Sequence, residues 1–179
     1  MSSHSSRTDP RFQDAAPDVR LRRWTDVDLA LLHAINTPEM TEYLVAAETG
    51  AQLAHRHERY LRGWDVGMPR MFAVVDAAGR SLGSIGWWES SWESGECYEL
   101  GWSVLPEAQG RGVATRAVAL VLSDIAACGD GRDVMACPSV DNEASNALCR
   151  TAGFSLATTL EEEFRGERLT LNVWVLPRS

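Results

Sequence analysis

The feature of the sequence that most constrains its fold is the glycine-bearing run Gln109-Gly110-Arg111-Gly112-Val113-Ala114. The stretch before it, Tyr98 to Leu105, has the alternation of a strand, and the stretch after it, Val113 to Cys128, has the apolar period of a long helix. A strand, a glycine turn and a helix N-terminus together direct backbone N–H groups and the positive end of the helix dipole into one concavity. The sequence therefore predicts a site for a phosphate-bearing ligand at this turn.

Two familiar phosphate-binding patterns do not fit the run. A dinucleotide fingerprint would need a third glycine where Thr115 stands, and a parallel strand–helix–strand context, whereas the strands upstream read as an antiparallel meander. A P-loop would need a Gly-Lys-Ser/Thr sequence, which the run lacks. On its own, the run is also compatible with a tight strand-to-helix turn that needs glycine only for its backbone conformation.

The rest of the chain alternates between strand and helix patterns. Strands are predicted at residues 19–24, 70–76, 81–89, 96–105, 133–137, 154–159 and 169–176. Helices are predicted at about residues 26–36, from Thr37-Pro38, from the capping box at Thr49, at about residues 112–128 and at residues 142–152. This order predicts one mixed α/β domain over residues 18–179. Residues 1–17, which are polar and lack periodicity, are predicted to be a flexible tail.

Charge and cysteine content disfavour several classes of protein. A net charge of −8 argues against nucleic acid as the main partner and is compatible with a cationic, amine-bearing substrate. No apolar run approaches the roughly 20 residues of a membrane span, and the start, Met1 to Arg7, lacks the apolar core of a signal peptide. Four widely spaced cysteines without a C-x-x-C pair are typical of reduced thiols, which predicts a cytoplasmic protein.

The glycine run also matches the pattern Gln/Arg-x-x-Gly-x-Gly/Ala, in which Gln109, Gly112 and Ala114 occupy the three fixed places. This pattern resembles the pyrophosphate loop of the GNAT superfamily of acetyl-CoA-dependent N-acetyltransferases. The segment before it, Tyr98 to Val104 followed by Pro106, is similar to the strand that precedes the loop in that family.

Further segments extend the resemblance. Asn142-Glu143-Ala144-Ser145, followed by Gly153-Phe154, is similar to the family's Asn-x-x-Ser…Gly-Phe motif. Leu21-Arg22 and Asn36-Thr37-Pro38-Glu39 resemble the opening of the RimJ/RimL branch, which includes the ribosomal-protein-alanine acetyltransferases. The similarity covers about residues 18–176 and implies the GNAT fold (α/β, or α+β), in which helices flank a mixed, mostly antiparallel central sheet of about seven strands.

The resemblance implies acetyl-CoA as cosubstrate. It implies that the strand ending at Val104 splays from its neighbour, that pantetheine pairs with its backbone in the gap, and that the loop at Gln109 to Thr115 holds the pyrophosphate. The residues implied for cofactor binding are Trp102, Ser103, Val104, Gln109, Gly110, Arg111, Gly112, Val113, Ala114, Thr115, Asn142, Ser145 and Cys149.

Two carboxylates are candidates for the catalytic base. Glu99 lies where many family members carry a carboxylate on this strand, with an ordinary cross-strand carboxylate as the alternative. Glu162, in the predicted loop before the last strand, lies near where the RimL-like branch places a carboxylate. Runs such as Glu161-Glu162-Glu163 are more often solvated acidic turns, and attraction of a cationic substrate is a separate role that this run would also fit.

At the position that assists the leaving thiolate, the sequence departs from the family. Cys149 stands where many family members have a tyrosine, and a thiol is a poor hydrogen-bond donor. The resemblance therefore assigns this role to Ser145, for which a helix-surface serine is the alternative. Asn142 is similar to the family's CoA-contacting asparagine, a role that is compatible with an N-cap. Among the seven tryptophans, Trp87 and Trp102 are expected to line the acceptor pocket.

The favoured function is direct transfer of acetyl to a primary amine, which is either a protein N-terminal α-amine or a small molecule. The alternative is a non-catalytic acyl-CoA-binding regulatory module, and a nucleic-acid-binding domain fits the acidic balance poorly. No metal is expected, because His55 and His57 lie two positions apart on a helix and face different ways, with His57 on the apolar side. A homodimer is compatible with the resemblance.

Overall fold

The chain folds around one mixed sheet. The computed structural model describes residues 18–44, 46–93, 95–128, 130–164 and 166–178, so the predicted tail at residues 1–17 lies outside the described residues. The strands are β1 Arg20–Arg23, β2 Arg70–Val75, β3 Ser81–Trp92, β4 Gly95–Val104, β5 Val134–Ala136, β6 Ser155–Phe164 and β7 Glu167–Leu176. Their spatial order is β1-β2-β3-β4-β5-β7-β6, and every neighbouring pair is antiparallel except β4 and β5. The expected mostly antiparallel, seven-stranded sheet is confirmed.

Helices cover both faces of this sheet. In the described residues they are α1 Leu29–Ala34, α2 Gly50–Val66, α3 Val113–Cys128 and α4 Glu143–Thr151, with 3₁₀ turns at Asp26–Asp28 and Pro106–Ala108. The capping box predicted at Thr49 is confirmed, because its hydroxyl accepts from the backbone N–H of Gln52 while the Gln52 side chain accepts from the Thr49 N–H. These two hydrogen bonds satisfy backbone N–H groups that the start of a helix otherwise leaves unpaired.

Side-chain alternation along the strands supplies two apolar cores, one on each face. Phe72 and Trp87 belong to the main core under α3, whereas Met71 and Ala73 belong to a second core that α1 and α2 cover. Both faces of the inner strands are therefore buried, which explains why β2 is apolar along almost its whole length.

His57 belongs to the second core. Its Nδ1 accepts a hydrogen bond of 3.1 Å from Trp24 Nε1, and its ring is buried, so the interpretation of His57 as a core histidine is confirmed. Among the described residues, no group of three or more His, Cys, Asp or Glu is placed to hold a metal ion. No helix in the same residues is long and apolar enough to cross a membrane.

Two predicted elements are wrong. The helix expected from Thr37-Pro38 is instead a series of turns, in which the Thr37 hydroxyl accepts from Met40 N–H and the Thr37 carbonyl accepts from Thr41. Local side-chain bonds of this kind compete with helix propagation. The loop expected around Glu162 is strand, because β6 pairs with β7 without interruption from Thr158 to Phe164.

Candidate active site

The sheet opens between β4 and β5. These parallel strands pair only at Tyr98↔Val134 and Glu99↔Met135, although β4 continues to Val104. The Tyr98 N–H donates to the Asp133 carbonyl at 2.9 Å, and alternate residues direct their backbone groups to the same edge, so those of Trp102 and Val104 face the opening. The expected splay of this strand is confirmed.

The glycine run forms a turn between β4 and α3. Gly110 and Gly112 have φ angles of 68° and 75°, a region that side chains disfavour. A Cβ added at either position would meet no atom within 4 Å and would project into open space beside the turn. Because α3 begins at Val113, the unpaired N–H groups of its first turn lie next to this space. Glycine geometry, free amides and the helix dipole fit an anion such as a pyrophosphate.

The turn is tied to the strand by Gln109. Its side-chain Nε2 donates to the Val104 carbonyl at 3.0 Å and approaches Met40 Sδ at 3.8 Å. Gln109 therefore joins the glycine turn, the end of β4 and the turn segment that contains Met40. Of the other predicted cofactor residues here, Arg111 and Thr115 are exposed, Ala114 is half-buried and the Val113 side chain lies in the main core.

A cavity of about 200 Å³ lies beside the opened strand. Its walls come from β4, the loop after β5, the N-terminus of α4, β7 and the turn segment at residues 37–44. The lining residues are Met40, Tyr43, Leu44, Glu99, Leu100, Gly101, Trp102, Ser103, Cys137, Pro138, Ser139, Asn142, Ser145 and Leu171. Both Glu99 and Ser145 line this single space, together with three of the residues predicted to bind the cofactor, Trp102, Ser103 and Asn142.

Glu99 is half-buried at the cavity wall, and two donors hold one of its oxygens. Trp88 Nε1 and Ser90 Oγ donate to Glu99 Oε2 at 3.2 and 3.3 Å. Burial raises the pKa of Glu99, the two hydrogen bonds lower it, and the negative charge of Glu162 raises it, with a net increase. A carboxyl with a raised pKa in a cleft is suited to proton transfer near neutral pH.

Glu162 lies on strand β6 rather than in a loop, directly opposite Leu169 on β7. It is exposed, yet its charge raises the pKa of both Glu99 and Cys137, so the two candidate carboxylates act on one region. Glu162 is not among the residues that line the cavity. Its position supports an electrostatic influence on the site more directly than contact with a substrate.

The N-terminus of α4 is fixed by asparagines. Asn142 caps the helix, because its Oδ1 accepts from Ser145 N–H at 3.0 Å, and it lines the cavity as well. Asn146 is buried and fully bonded: it donates to the carbonyls of Ser139 and Asn142 and accepts from Asn172 and Trp174. This network fixes Ser145 and the loop after β5 against β7.

Cys137 and Cys149 both lie close in sequence to residues of the site, but one lines the cavity and the other lies in the main core. Cys149 is 1% exposed within the main core, and burial raises the pKa of its thiol to about 12, so the structure removes it from the residues expected to touch a cofactor. Cys137 lines the cavity, where burial, followed by the charges of Glu99 and Glu162, raises its pKa to about 12. Neither thiol is set up as a nucleophile, which requires a lowered pKa.

The two tryptophans expected in the acceptor pocket lie in different surroundings. Trp102 lines the cavity, but Trp87 is fully buried in the main core with its Nε1 donating to Asp124 at 2.9 Å. The expectation for Trp87 was wrong because this residue, although on the same sheet face as Trp102, lies opposite Leu100, farther from the open end of β4, where α3 covers it. Its neighbour Trp88 faces the site and contacts Glu99.

Sequence reasoning missed several residues of the site. Met40, Tyr43, Leu44, Cys137 and Leu171 line the cavity, and Trp88 and Ser90 hold Glu99. Pairing the predicted strands β3 and β4 in register would have placed Trp88 opposite Glu99, as the structure does. The turn segment carries no comparable signal, because its position depends on long-range packing.

A sheet that opens between two parallel strands beside a glycine turn defines a class of α/β protein suited to a phosphate-bearing ligand laid along a strand edge. Residues 18–155 match the family model of the acetyltransferase (GNAT) domain. The match spans most of the 179 residues, and the chain belongs to the GNAT acetyltransferase family. No curated protein matches the sequence.

Solved structures with the same fold are distant in sequence. An acetyltransferase from Salmonella typhimurium that modifies the N-terminal serine of 50S ribosomal subunit protein L7/L12 has a TM-score of 0.76 at 17% identity, covering 90% of this chain and 96% of that chain. RimL, the ribosomal L7/L12 alpha-N-protein acetyltransferase, in complex with coenzyme A, has a TM-score of 0.75 at 16% identity over 90% and 94%. Spermidine N-acetyltransferase from Vibrio cholerae, in complex with CoA and spermine, has a TM-score of 0.73 at 21% identity over 90% and 96%. These likenesses show a shared fold, and two of the three structures contain CoA.

Proposed function

We propose that this protein is an acetyl-CoA-dependent N-acetyltransferase of the RimJ/RimL-like type, which transfers acetyl directly to a primary amine. The observation that carries the proposal is the opened edge of β4, which runs from the cavity to the glycine turn. A glycine turn suited to pyrophosphate lies at one end, and the half-buried carboxylate of Glu99 lies toward the other. Family membership supports the reaction type.

Acetyl-CoA is proposed to bind along the opened edge of β4. The N–H groups of the glycine turn and of the first turn of α3 would hold the pyrophosphate, with Gly110 and Gly112 leaving room for it. The backbone groups of Trp102 and Val104 that face the opening would pair with the pantetheine arm. The thioester would then lie in the cavity that Glu99 and Ser145 line.

Glu99 is proposed to be the base. Amines carry a proton at neutral pH, since α-amines have pKa values near 7.7–8.0 and lysine-type amines near 10.4. Glu99 would accept that proton, directly or through water, and the neutral nitrogen would attack the thioester carbonyl. A C–N bond forms and the C–S bond breaks. The nitrogen gives its second proton to the departing thiolate, which accepts a hydrogen bond from Ser145, and CoA leaves as the thiol. The raised pKa of Glu99 brings base and amine closer in proton affinity.

The acceptor is proposed to be a cationic amine with an apolar neighbour. Glu99 and Glu162 place negative charge around the site, while Met40, Tyr43 and Leu44 give its outer wall an apolar character. Tyr43 and Leu44 are 38% and 55% exposed, so an acceptor that covers them would gain apolar burial. A protein N-terminus with an apolar second residue and a small aryl-alkyl amine both meet this description.

Release of the CoA thiol in the presence of an amine panel tests the proposal. The panel should contain N-terminal peptides, polyamines and aryl-alkyl amines. Because the chain contains no lysine, its own side chains offer no primary amine that would release thiol in the background. We expect release that depends on an amine and is lost in Gly112→Val. Binding of acetyl-CoA by the folded protein without release for any amine would contradict the proposal.

A non-catalytic acyl-CoA-binding module is a second candidate, and the buried Cys149 at the place of the family's tyrosine favours it. The two functions differ in how turnover responds to substitution. A slow turnover that is unchanged in Glu99→Gln, Glu162→Gln and Ser145→Ala would identify the module. A large loss in Glu99→Gln would identify the enzyme.

A further inference from the structure

Trp88 makes a contact with Glu99 that family membership does not assign. The two residues are directly opposite each other on β3 and β4, and the indole Nε1 donates to Glu99 Oε2 at 3.2 Å. Ser90 Oγ reaches the same oxygen at 3.3 Å. Among the described residues, none donates to Oε1, so this second oxygen is the one available to a ligand in the cavity.

Gly101 allows the indole to take this position. A Cβ added at Gly101 would lie 2.7 Å from the Cη2 atom of Trp88 and 3.3 Å from Cζ3. The ring therefore lies across β4 where any side chain would displace it, and it also packs against the second core. Core packing on one side and the missing Cβ on the other fix the ring, and the ring in turn fixes the carboxylate.

We propose that Trp88, assisted by Ser90, is a positioning residue that holds Glu99 by Oε2 and keeps it ionised, with Oε1 directed to the acceptor amine. This inference rests on the proposed role of Glu99 as the base. Trp88 is not among the residues that line the cavity, so it acts through Glu99 rather than on the substrate.

The surroundings of Glu99 show why such donors matter. From β3 it faces Trp88 and Ser90, from its own strand Cys97, from the end of β5 Cys137, and from β6 Glu162. Burial and the charge of Glu162 both raise the pKa of Glu99, and the two hydrogen bonds alone lower it. Without them the carboxyl would hold its proton to a higher pH, so that at a given pH a smaller fraction would be ionised and able to accept a proton from the amine.

The test replaces Trp88 by phenylalanine, which keeps an aromatic ring over Gly101 and removes the N–H donor. The pH dependence of kcat/KM for the amine reports the ionisation of the base in the free enzyme. We expect the acidic limb of this pH profile to shift to higher pH by about one unit. A shift of this size is typical for the loss of a hydrogen bond to a charged group. The KM for acetyl-CoA should stay unchanged.

Trp87→Phe is the matched control, since Trp87 is the adjacent residue on the opposite face and its N–H donates to Asp124. It should lower stability without moving the acidic limb. Ser90→Ala, a mild change at a half-buried position, should shift the acidic limb in the same direction by a smaller amount. This variant provides the test if Trp88→Phe folds poorly. An unmoved limb in both Trp88→Phe and Ser90→Ala would overturn the inference, as would an equal shift in Trp87→Phe.

Carboxyl carbon NMR of glutamate-labelled protein separates this inference from the proposed function. The Glu99 resonance is assigned as the one absent in Glu99→Gln, and its titration is followed in the wild type and in Trp88→Phe. An upward shift of the titration midpoint supports the role of Trp88 even if no amine is acetylated. An active enzyme whose acidic limb survives in Glu99→Gln would instead remove Glu99 as the base, and the proposed function would need another base.

Discussion

At the scale of single residues, the proposed chemistry depends on a carboxylate whose environment opposes its charge. Glu99 is half-buried, shares its surroundings with Glu162, and is stabilised as an anion by two side-chain donors. Its raised pKa means that the proposed base is protonated, and therefore inactive, below that pKa and becomes active as the pH rises through it. The rate should rise with pH until the base is fully ionised.

Glu99→Gln removes the proposed base and keeps the shape of the side chain. We expect kcat to fall by about 10²- to 10⁴-fold near pH 7, the usual contribution of a general base, with a smaller loss at high pH where part of the amine is already neutral. Steady-state rates across the pH range check this. A loss that is the same at every pH would show that Glu99 does not act as the base.

Glu162→Gln is the matched comparison, because it changes the second candidate in the same way. Its charge raises the pKa of Glu99, so neutralising it should lower that pKa and move the acidic limb of the rate profile to lower pH. We expect kcat near pH 7 to stay within about threefold of the wild type, since no proton acceptor is lost. A loss of turnover as large as that of Glu99→Gln would make Glu162 the base.

At the scale of elements, the order of strands and helices could be predicted from the sequence, whereas the packing of the turn segment could not. The Thr49 box, the helix after Gly112 and the Asn142 cap each carry a local signal that the structure matches. The segment at residues 37–44 carries the Thr-Pro signal of a helix start but forms turns, and it supplies three cavity residues. Its place is set by contacts distant in sequence, such as Gln109 against Met40.

In the candidate site, too, residues in local motifs could be predicted from the sequence, whereas residues placed by long-range pairing could not. Glu99, Ser145 and the glycine turn could be predicted because they lie in motifs with fixed spacing. Trp88 required the register of β3 against β4, and a shift of one residue would have placed Trp87 there instead. The extent of β6 required its pairing with β7, because the run of three glutamates is atypical of a strand.

Gly112→Val tests the glycine turn as an element. Its φ of 75° disfavours any side chain, and the new atoms would project into the space proposed for the pyrophosphate. We expect acetyl-CoA binding, followed by titration calorimetry, to be lost while the domain stays folded. The strained residue should lower stability by about 1–2 kcal/mol.

Gly79→Val is its matched control. Gly79 has a φ of 80° in the β2–β3 turn, and a Cβ there also meets no atom within 4 Å. The strain should therefore be similar, but Gly79 belongs to a different turn and does not line the cavity, so acetyl-CoA affinity should be unchanged. Equal loss of affinity in both variants would mean that strain, rather than the filled space, weakens binding.

At the scale of the whole molecule, strand β4 connects the two cores with the site. Leu100 packs into the main core under α3 and also lines the cavity, as do its neighbours Glu99 and Gly101. The glycine turn follows the same strand and leads into α3, whose Val113, Val118 and Val121 are buried in that core. A ligand along this strand would therefore contact elements on both faces of the sheet, and binding should stabilise the molecule as a unit.

Thermal unfolding measures this coupling. Acetyl-CoA at about 100 times its Kd should add about 2.7 kcal/mol to the free energy of unfolding, if it binds only the folded chain. For a domain of this size that corresponds to an increase in Tm of roughly 5–10 °C. Glu99→Gln should keep the full increase, because it changes the base and leaves the glycine turn intact, whereas Gly112→Val should lose it. An increase that disappears in Glu99→Gln would place the cofactor on the carboxylate rather than along the turn, and the arrangement proposed for the cleft would be wrong.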